Sequence, residues 1–253
     1  MGFSMGLTPS AHGAPLPPCA GPVEIAHAKV VRVERNGVLV LSDGRAVTLE
    51  GIRLQRTQPG VLETQIAPPA LAAIRDMTAA GDVTFTAVRP KEDRYDRVRS
   101  QAFAGGAWLQ TALLEKGLAR VALSPDRGEC AAELQAAEAR GRAIHAGLWA
   151  ASSAAQYRVR GPQDMQGTAG TFQVVEGWVT NVGRGGDRMF IDFGADRQLG
   201  FSATIAPEDR ARFRGFDLQA LIARHVRIRG MVQDYRGRPE MALSNPAQIE
   251  ILK

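Results

Sequence analysis

Short runs of apolar residues, some of them alternating with polar ones, recur along the first 150 positions of the chain. They predict five strands, at Val23–Glu34, Val38–Leu41, Ala46–Ile52, Asp82–Val88 and Val98–Gly106. Apolar residues at helical spacing predict three helices, at Ala70–Met77, within Trp108–Val121 with Gly117 as its end, and at Cys130–Trp149. Ser42–Arg45 has the composition of a hairpin turn, and Pro68-Pro69 suits the first turn of a helix. Residues 23–150 are therefore predicted to form one unit of strands and helices.

The rest of the chain has a different pattern. Residues 151–170 lack periodicity and are rich in Ser, Gly and Gln, so they are predicted to be a linker. Residues 171–253 then contain five predicted strands, with a helix or loop over residues 207–223 between the third and the fourth. That order is typical of a five-stranded OB-type barrel. The predicted fold class is α+β, mainly β.

Composition narrows the possible classes of protein only slightly. Hydrophobic residues make up 45% of the 253 positions and charged residues 23%, which is typical of a globular protein. No apolar run approaches the roughly 18 residues that cross a bilayer. The net charge of +5 comes from 31 basic and 26 acidic residues, so it permits a polyanionic partner without requiring one.

The N-terminal segment and the two cysteines bear on the compartment. Residues 1–22 are small, rich in Pro and Gly and uncharged apart from His12, and we interpret them as disordered or as the remnant of an export signal. Cys19 and Cys130 do not have the spacing of a zinc site. They are either one disulfide of an exported protein or two separate free thiols. A periplasmic or secreted location is expected rather than a cytoplasmic one.

Four stretches of the first unit resemble one known family. They are AWLQTALLEKGLARV (Ala107–Val121), ELQAAEARGRAIHAGLW (Glu133–Trp149), DRYDR (Asp93–Arg97) and VLVLSDGRAVTLEGI (Val38–Ile52). Their order and spacing are similar to those of the staphylococcal nuclease (thermonuclease) family, over about residues 25–150. The resemblance implies an OB-type barrel of five strands with three helices. It also implies a Ca²⁺-dependent phosphodiesterase site for DNA and RNA.

In that family two carboxylates hold the metal, two arginines clamp the phosphate and a glutamate supports the attacking water. The first metal-binding motif falls on Arg35–Val38 here, where no carboxylate remains. The second metal ligand and the glutamate fall on Arg53 and Arg56. Thr48 replaces the first phosphate-binding arginine, and only the second is kept, as Arg97. The resemblance therefore implies a catalytic site that has lost its metal ligands.

Glu34 and Glu50 are the nearest acidic residues to these positions. Since side chains alternate between the two faces of a strand, both are expected to point elsewhere. No metal ligand is predicted, and no cofactor is expected.

The first functional hypothesis is a degenerate, non-catalytic protein. It would bind nucleic acid, or another polymer or protein of the cell envelope, through its two barrels. The predicted nucleic-acid-binding residues are Arg35, Arg53, Arg56, Arg97, Tyr235, Arg236 and Arg238. Arg97 is the remnant of the catalytic set. Solvated surface arginines remain the alternative interpretation for the first four.

Two other functions stay open. One is an active Ca²⁺-dependent endonuclease with relocated ligands, for which Asp43, Asp93 and Asp96 are the candidates. This hypothesis requires at least two acids close to Arg97. The other is a scaffold of the cell envelope that binds a protein or polymer. The sequence does not decide between these partners or give an oligomeric state.

Overall fold

Buried apolar residues form two large cores that are separate along the chain. The structure, a computed structural model, describes residues 15–57, 65–153, 157–194 and 200–252. One core draws on residues between Ala20 and Ala137, and the other on residues between Met165 and Ile249. Strands dominate both parts and the α-helices lie in the first, so the predicted α+β, mainly β class is confirmed. No helix within the described ranges is long and apolar enough to cross a membrane.

The first β domain contains nine strands and three α-helices among its described residues. The strands are β1 (Val23–Ala28), β2 (Val30–Val33), β3 (Leu39–Leu41), β4 (Ala46–Leu49), β5 (Ile52–Leu54), β6 (Val83–Thr86), β7 (Val98–Ala104), β8 (Ala107–Trp108) and β9 (Ala119–Val121). The helices are α1 (Pro68–Ala79), α2 (Leu109–Glu115) and α3 (Ala131–Ala143). Short 3-10 turns occupy Pro18–Ala20 and Gly147–Trp149.

The sheet of this domain is closed by one bent strand. Its order is β1-β6-β7-β4-β3-β2, with β8 attached to β7. β1 and β2 are consecutive in the chain and lie at opposite edges, so they act as two halves of a single strand that joins the edges. All neighbours along this order are antiparallel except β4 and β7, which run parallel with Val47 opposite Val98. β5 leaves the barrel and pairs with β9.

The second predicted helix ends close to Gly117, the residue that was expected to end it. α2 stops at Glu115, and Ala119–Val121, for which no strand was predicted, is strand β9. Gly117 has a φ of +62°, and a Cβ atom there would lie 2.0 Å from the carbonyl oxygen of Ala146. The chain therefore turns at the one residue that tolerates both the conformation and the close approach. α3 ends earlier than predicted, at Ala143 rather than Trp149.

The second β domain repeats the layout of the first. Its strands are β10 (Val159–Arg160), β11 (Phe172–Trp178), β12 (Asn181–Gly185), β13 (Arg188–Asp192), β14 (Ser202–Ile205), β15 (His225–Tyr235), β16 (Arg238–Ala242) and β17 (Ile249–Ile251). The order is β10-β11-β15-β16-β14-β13-β12, with β17 paired to β15. β11 and β12 are the two halves of the bent strand, and β14 and β16 form the parallel pair. Short 3-10 turns at Pro207–Phe213 and Gln219–Leu221 fill the predicted break between β14 and β15.

Two segments predicted to lack structure are folded in the described residues. The expected linker, 151–170, contains strand β10, which pairs with β11, and Met165, which is fully buried in the second core. Its polar composition hid these contacts, since few of its side chains enter a core. The N-terminal segment was expected to be disordered or an export remnant up to residue 22, yet Pro18–Ala20 form a turn and Ala20 is buried. Residues 1–14 lie outside the described ranges, and the boundary between the domains near residue 150 stays a prediction.

A buried ion pair connects the two β domains. Glu138 on α3 accepts a hydrogen bond of 2.7 Å from Arg229 Nη1 on β15. The two side chains are 0% and 1% exposed. Arg229 Nη2 also donates to Glu250 at 2.9 Å. Nearby, the side-chain amide of Asn245 donates to the carbonyl oxygens of Ser124 and Arg127, each at 3.2 Å. The contact between the domains is therefore polar, with specific partners for both Arg229 Nη atoms and for the Asn245 amide, while Arg229 Nε has no hydrogen-bond partner among the described residues.

Cys19 and Cys130 form a disulfide, the first of the two alternatives that the sequence left open. It joins the turn before β1 to the residue before α3 across a separation of 111 residues. In the chain-entropy model, closing a loop of this size stabilises the folded state by about 4.7 kcal/mol, and measured effects are often smaller.

Reduction of this disulfide is expected to lower the melting temperature of the protein. A loss of about 2–4 kcal/mol corresponds to a fall of roughly 4–16 °C for a chain of this size. The measurement is a thermal melt with and without reductant. A variant with both cysteines replaced by serine is the control, and its melting temperature should not respond to reductant. Two titratable thiols in the native oxidised protein would contradict the pairing.

Candidate functional site

The surviving family arginine, Arg97, lies in an open cleft of about 360 Å³. β4 and β7 form the parallel pair at this place, which brings the residues after Val47 close to those around Val98. We call it the Arg97 cleft. Its polar residues are Thr48, Glu50, Asp93, Arg97, Arg99, Ser124 and Asp126. The cleft therefore contains both acids and arginines.

Arg99 holds two of the acids. Its Nε donates to Glu50 Oε2 at 2.9 Å, and its Nη1 and Nη2 each donate to one oxygen of Asp126 at 2.8 Å. Ser124 Oγ donates to the other oxygen of Glu50 at 2.7 Å. The hydrogen bonds with Asp126, and then those with Glu50, raise the pKa of Arg99 above its ordinary value. The same contact with Arg99 lowers the pKa of Asp126. Arg99 thus holds both carboxylates and balances the charge of one of them.

Arg97 is itself paired with an acid. Its Nε donates to Asp93 Oδ2 at 2.8 Å, and its guanidinium lies 4.8 Å from the centre of the Tyr95 ring. Asp93 Oδ1 also accepts the backbone N–H of Tyr95 at 2.9 Å. Partial burial raises the pKa of Asp93, but the hydrogen bonds from Arg97 and the backbone outweigh it, so the pKa is lowered. Asp93 therefore balances part of the positive charge of Arg97 in the cleft.

The expectation that Glu50 points away from this site is wrong. β4 ends at Leu49, and Gly51 has a φ of +83°, so the alternation of a strand does not extend to Glu50. Its side chain is buried in the cleft, bound to Arg99. Glu34 does lie elsewhere, beside the exposed Arg32.

Only one of the three acids suggested as relocated metal ligands lines the cleft. Asp93 does so, whereas Asp43 binds Arg45 in the β3–β4 turn and Asp96 is exposed in the loop before β7. Across the described residues, a single group of three possible metal ligands converges, Cys19, Cys130 and Glu133. Two of its members are the disulfide cysteines, so their sulfur atoms are not thiolates that could hold a metal.

The arginines at the lost carboxylate positions do not gather around Arg97, which corrects the predicted cluster. Arg35 is exposed in the β2–β3 turn. Arg53 and Arg56 line a different space, which we call the interdomain crevice, together with Arg120, Tyr157 and Phe172. The physical reason is the exit of β5 from the barrel: Ile52 faces the Arg97 cleft, and the next residue, Arg53, faces the crevice.

The remaining predicted residues lie on the second β domain. Tyr235, Arg236 and Arg238 belong to the β15–β16 hairpin. Arg188 on β13 lies 5.3 Å from the Tyr235 ring and 5.5 Å from the Phe190 ring, and Arg236 lies 5.3 Å from the Tyr235 ring. We call Arg188, Phe190, Tyr235 and Arg236 the aromatic face. Arg188 Nη2 donates to Thr204 Oγ1 at 2.8 Å and to Glu240 at 3.0 Å.

Three residues of the Arg97 cleft and the interdomain crevice were not predicted from the sequence. Arg99 and Asp126 were not considered because nothing in their local pattern distinguishes them. Arg120 was treated only as part of a helix-end motif. One signal for Arg120 was present, since a charged residue stands between the apolar Ala119 and Val121 in a short run.

The pKa values of Asp93 and Asp126 test whether Arg97 and Arg99 form two independent ion pairs in the cleft. Arg99→Gln is expected to raise the pKa of Asp126 and leave that of Asp93 unchanged, and Arg97→Gln is expected to do the reverse. NMR titration of the carboxyl carbons measures both groups in each variant. Because both folded pKa values lie below the unfolded ones, these pairs stabilise the fold at neutral pH, and the contribution is lost as the pH falls below about 4. A shift of both acids in both variants would contradict two independent pairs.

Comparison with known families agrees with the first β domain. Residues 46–151 match the family model described as staphylococcal nuclease homologue. The match begins at the first residue of β4 and continues past α3, so it contains Thr48, Arg53, Arg56 and Arg97. The positions Arg35–Val38 precede it. No curated protein matches the chain.

Proposed function

Because residues 46–151 are a staphylococcal nuclease homologue domain, we propose that this chain binds single-stranded nucleic acid without cleaving it. The proposal has two parts, the loss of hydrolysis in the first β domain and binding on the second.

The loss of hydrolysis rests on the electrostatics of the Arg97 cleft. The positions of the family's metal ligands hold Arg35–Val38 and Arg53, and Arg56 replaces the glutamate that supports the water. The acids that do line the cleft are paired with Arg97 or Arg99. Three acids, Glu50, Asp93 and Asp126, line the cleft and would attract a divalent ion, but the ion would have to displace the arginine that each of them binds. About 4 Å from a guanidinium group it would also meet a repulsion on the order of 4 kcal/mol per unit charge at an effective dielectric of 20. Without a metal the route loses its electrophile.

The aromatic face is the single observation that carries the binding proposal. We interpret the second β domain as an OB-type barrel, in which β13 and β14 are the second and third strands and the β15–β16 hairpin joins the fourth and fifth. OB-type barrels bind oligonucleotides on the second and third strands and the adjoining hairpin loops. Arg188 and Phe190 lie on β13, and Tyr235 and Arg236 lie in that hairpin.

The chemistry of this face suits a single strand. A base that is not paired can stack on Tyr235, which is 39% exposed, and Arg236 beside it is exposed to a phosphate. A duplex keeps the faces of its bases inside the stack, so it offers Tyr235 no base to stack on, only groove edges and phosphates. The other predicted partner, an envelope polymer or protein, has no comparable feature in its favour.

The disulfide supports the location proposed for the chain. Structural disulfides persist in oxidising compartments, so we propose that the protein functions in the periplasm or outside the cell.

The first test is hydrolysis. The purified protein is expected not to cleave single-stranded DNA, with Ca²⁺ or with chelator, because no carboxylate in the Arg97 cleft is free to bind the ion. Gel analysis of a labelled strand measures cleavage. Cleavage that requires Ca²⁺ and disappears in Arg97→Ala would show that the site is active and would support the alternative, a Ca²⁺-dependent endonuclease.

The second test is binding. Tyr235→Ala is expected to weaken binding of single-stranded DNA by about 5- to 150-fold, since one stacked base contributes roughly 1–3 kcal/mol. Fluorescence anisotropy at several salt concentrations measures it. Tyr235→Phe, which keeps the ring, should bind like the unmodified protein.

Tyr95→Ala is the matched control, because Tyr95 is also exposed and also contacts two arginines, but beside the Arg97 cleft. It should retain binding. A loss in Tyr95→Ala with none in Tyr235→Ala would place the interaction on the first β domain. No binding by the unmodified protein at low salt would refute the proposal.

A further inference from the structure

The interdomain crevice contains two arginines that face each other. Arg53 on β5 and Arg120 on β9 are direct partners in the antiparallel pairing of these strands. Both guanidinium groups lie over the Phe172 ring of the second β domain, at 5.8 Å and 4.9 Å. Like charges directly opposite each other destabilise a pair of strands. Their juxtaposition therefore requires a compensating partner.

Among the described residues no carboxylate forms a salt bridge with either arginine, and Glu138 acts on Arg120 only through its charge at longer range. Arg120 is 6% exposed, and its Nη1 has no hydrogen-bond partner in that part of the chain. Within the same ranges neither arginine forms a salt bridge, whereas the nearby Arg229 has two carboxylates. The contacts of Arg120 are aromatic, with the Tyr157 ring 5.1 Å away on one side and Phe172 on the other.

The pKa values of Arg120 and Arg53 are both lowered, which means that this arrangement disfavours their charged forms. Burial lowers the pKa of Arg120 to about 10, and burial followed by the neighbouring Arg56 lowers the pKa of Arg53. A buried charge is normally paired and hydrogen-bonded. Three other polar side chains in the crevice have partners: the Tyr157 hydroxyl donates to the Arg56 carbonyl oxygen at 3.0 Å, and Gln173 donates to Thr171 Oγ1 at 2.7 Å.

We propose that the interdomain crevice is a binding site for one phosphate group, held by Arg120 and Arg53. Guanidinium groups present flat arrays of donors that match phosphate oxygens. The enclosed part of the crevice, about 20 Å³, has room for one water-sized oxygen atom. One phosphate oxygen therefore enters between the arginines while the rest of the group stays at the open side. Since residues of both β domains line the crevice, the bound phosphate would also connect them.

This site is separate from the aromatic face, so the proposal does not rest on nucleic-acid binding there. The phosphate could be inorganic phosphate or the terminal phosphate of an oligonucleotide. The same two guanidinium groups would recognise either one.

Thermal melts in inorganic phosphate at constant ionic strength, with chloride as the reference anion, test the site. The melting temperature of the unmodified protein is expected to rise by roughly 5 °C at about one hundred times Kd. Arg120→Met keeps a flexible, unbranched and somewhat shorter side chain and removes the charge. It should abolish this rise and, because it deletes an unpaired buried cation, should melt no lower than the unmodified protein without phosphate.

Two further variants test whether the rise of the melting temperature in phosphate depends on the crevice or on any arginine of the protein. Arg53→Met should weaken the phosphate response without changing the core, since Arg53 is only half-buried. Arg97→Met, which removes the family's phosphate-binding arginine, should respond to phosphate like the unmodified protein. The absence of a phosphate-specific rise in the unmodified protein, or its survival in Arg120→Met, would overturn the proposal.

Two oligonucleotides of the same sequence identify the source of the phosphate, one with a 5′-phosphate and one with a 5′-hydroxyl. The binding affinities of the two strands are compared. The Tyr235→Ala variant serves here, so that the aromatic face does not contribute. Preference for the 5′-phosphate identifies a strand end as the ligand. Equal binding together with a response to inorganic phosphate identifies a small phosphate.

Discussion

The arrangement of the two β domains depends on one buried pair of charges, Glu138 and Arg229. Removing one partner of an isolated buried pair costs about 3–5 kcal/mol, because the other charge is left without compensation. Here Arg229 would keep Glu250 and Glu138 would keep Arg142, so a smaller cost is expected. Glu138 has a second role, since its Oε1 accepts the backbone N–H of Val121 at 2.8 Å. The same carboxylate thus fixes α3, the strand β9 that carries Arg120, and β15 of the second domain. Both the crevice and the polar contact between the domains depend on its position.

Much of the fold could be predicted because its signals are local. Alternating residues placed most of the strands, and Pro68-Pro69 marked the start of α1 at Pro68. The missed features depend on distant partners. β9 is a strand because Gly117 turns the chain beneath Ala146, and β10 pairs with a strand that follows it in the chain. The composition of residues 151–170 gave no sign of this pairing, since only a few of their side chains are buried.

The candidate site was harder to predict than the fold. Aligned positions identified Arg97 and the absence of family carboxylates, but they did not give the direction of each side chain. Arg53 faces away from Arg97 because β5 leaves the barrel, and Glu50 enters the cleft because its strand has already ended. Arg99 and Asp126 pair across a separation of 27 residues, a contact that no short motif encodes. Such pairs become visible only when the strands have been assembled in space.

The separation of Glu138 and Arg229 along the chain, 91 residues, has a consequence for biosynthesis. When α3 first forms, its inward carboxylate can already hold β9, and Arg142 on the same helix, 3.5 Å away, is its cationic partner before Arg229 has been translated. Until β15 has been made, this carboxylate lacks its 2.7 Å partner from the second β domain. The buried contact between the two β domains therefore cannot form before most of the second domain has been synthesised.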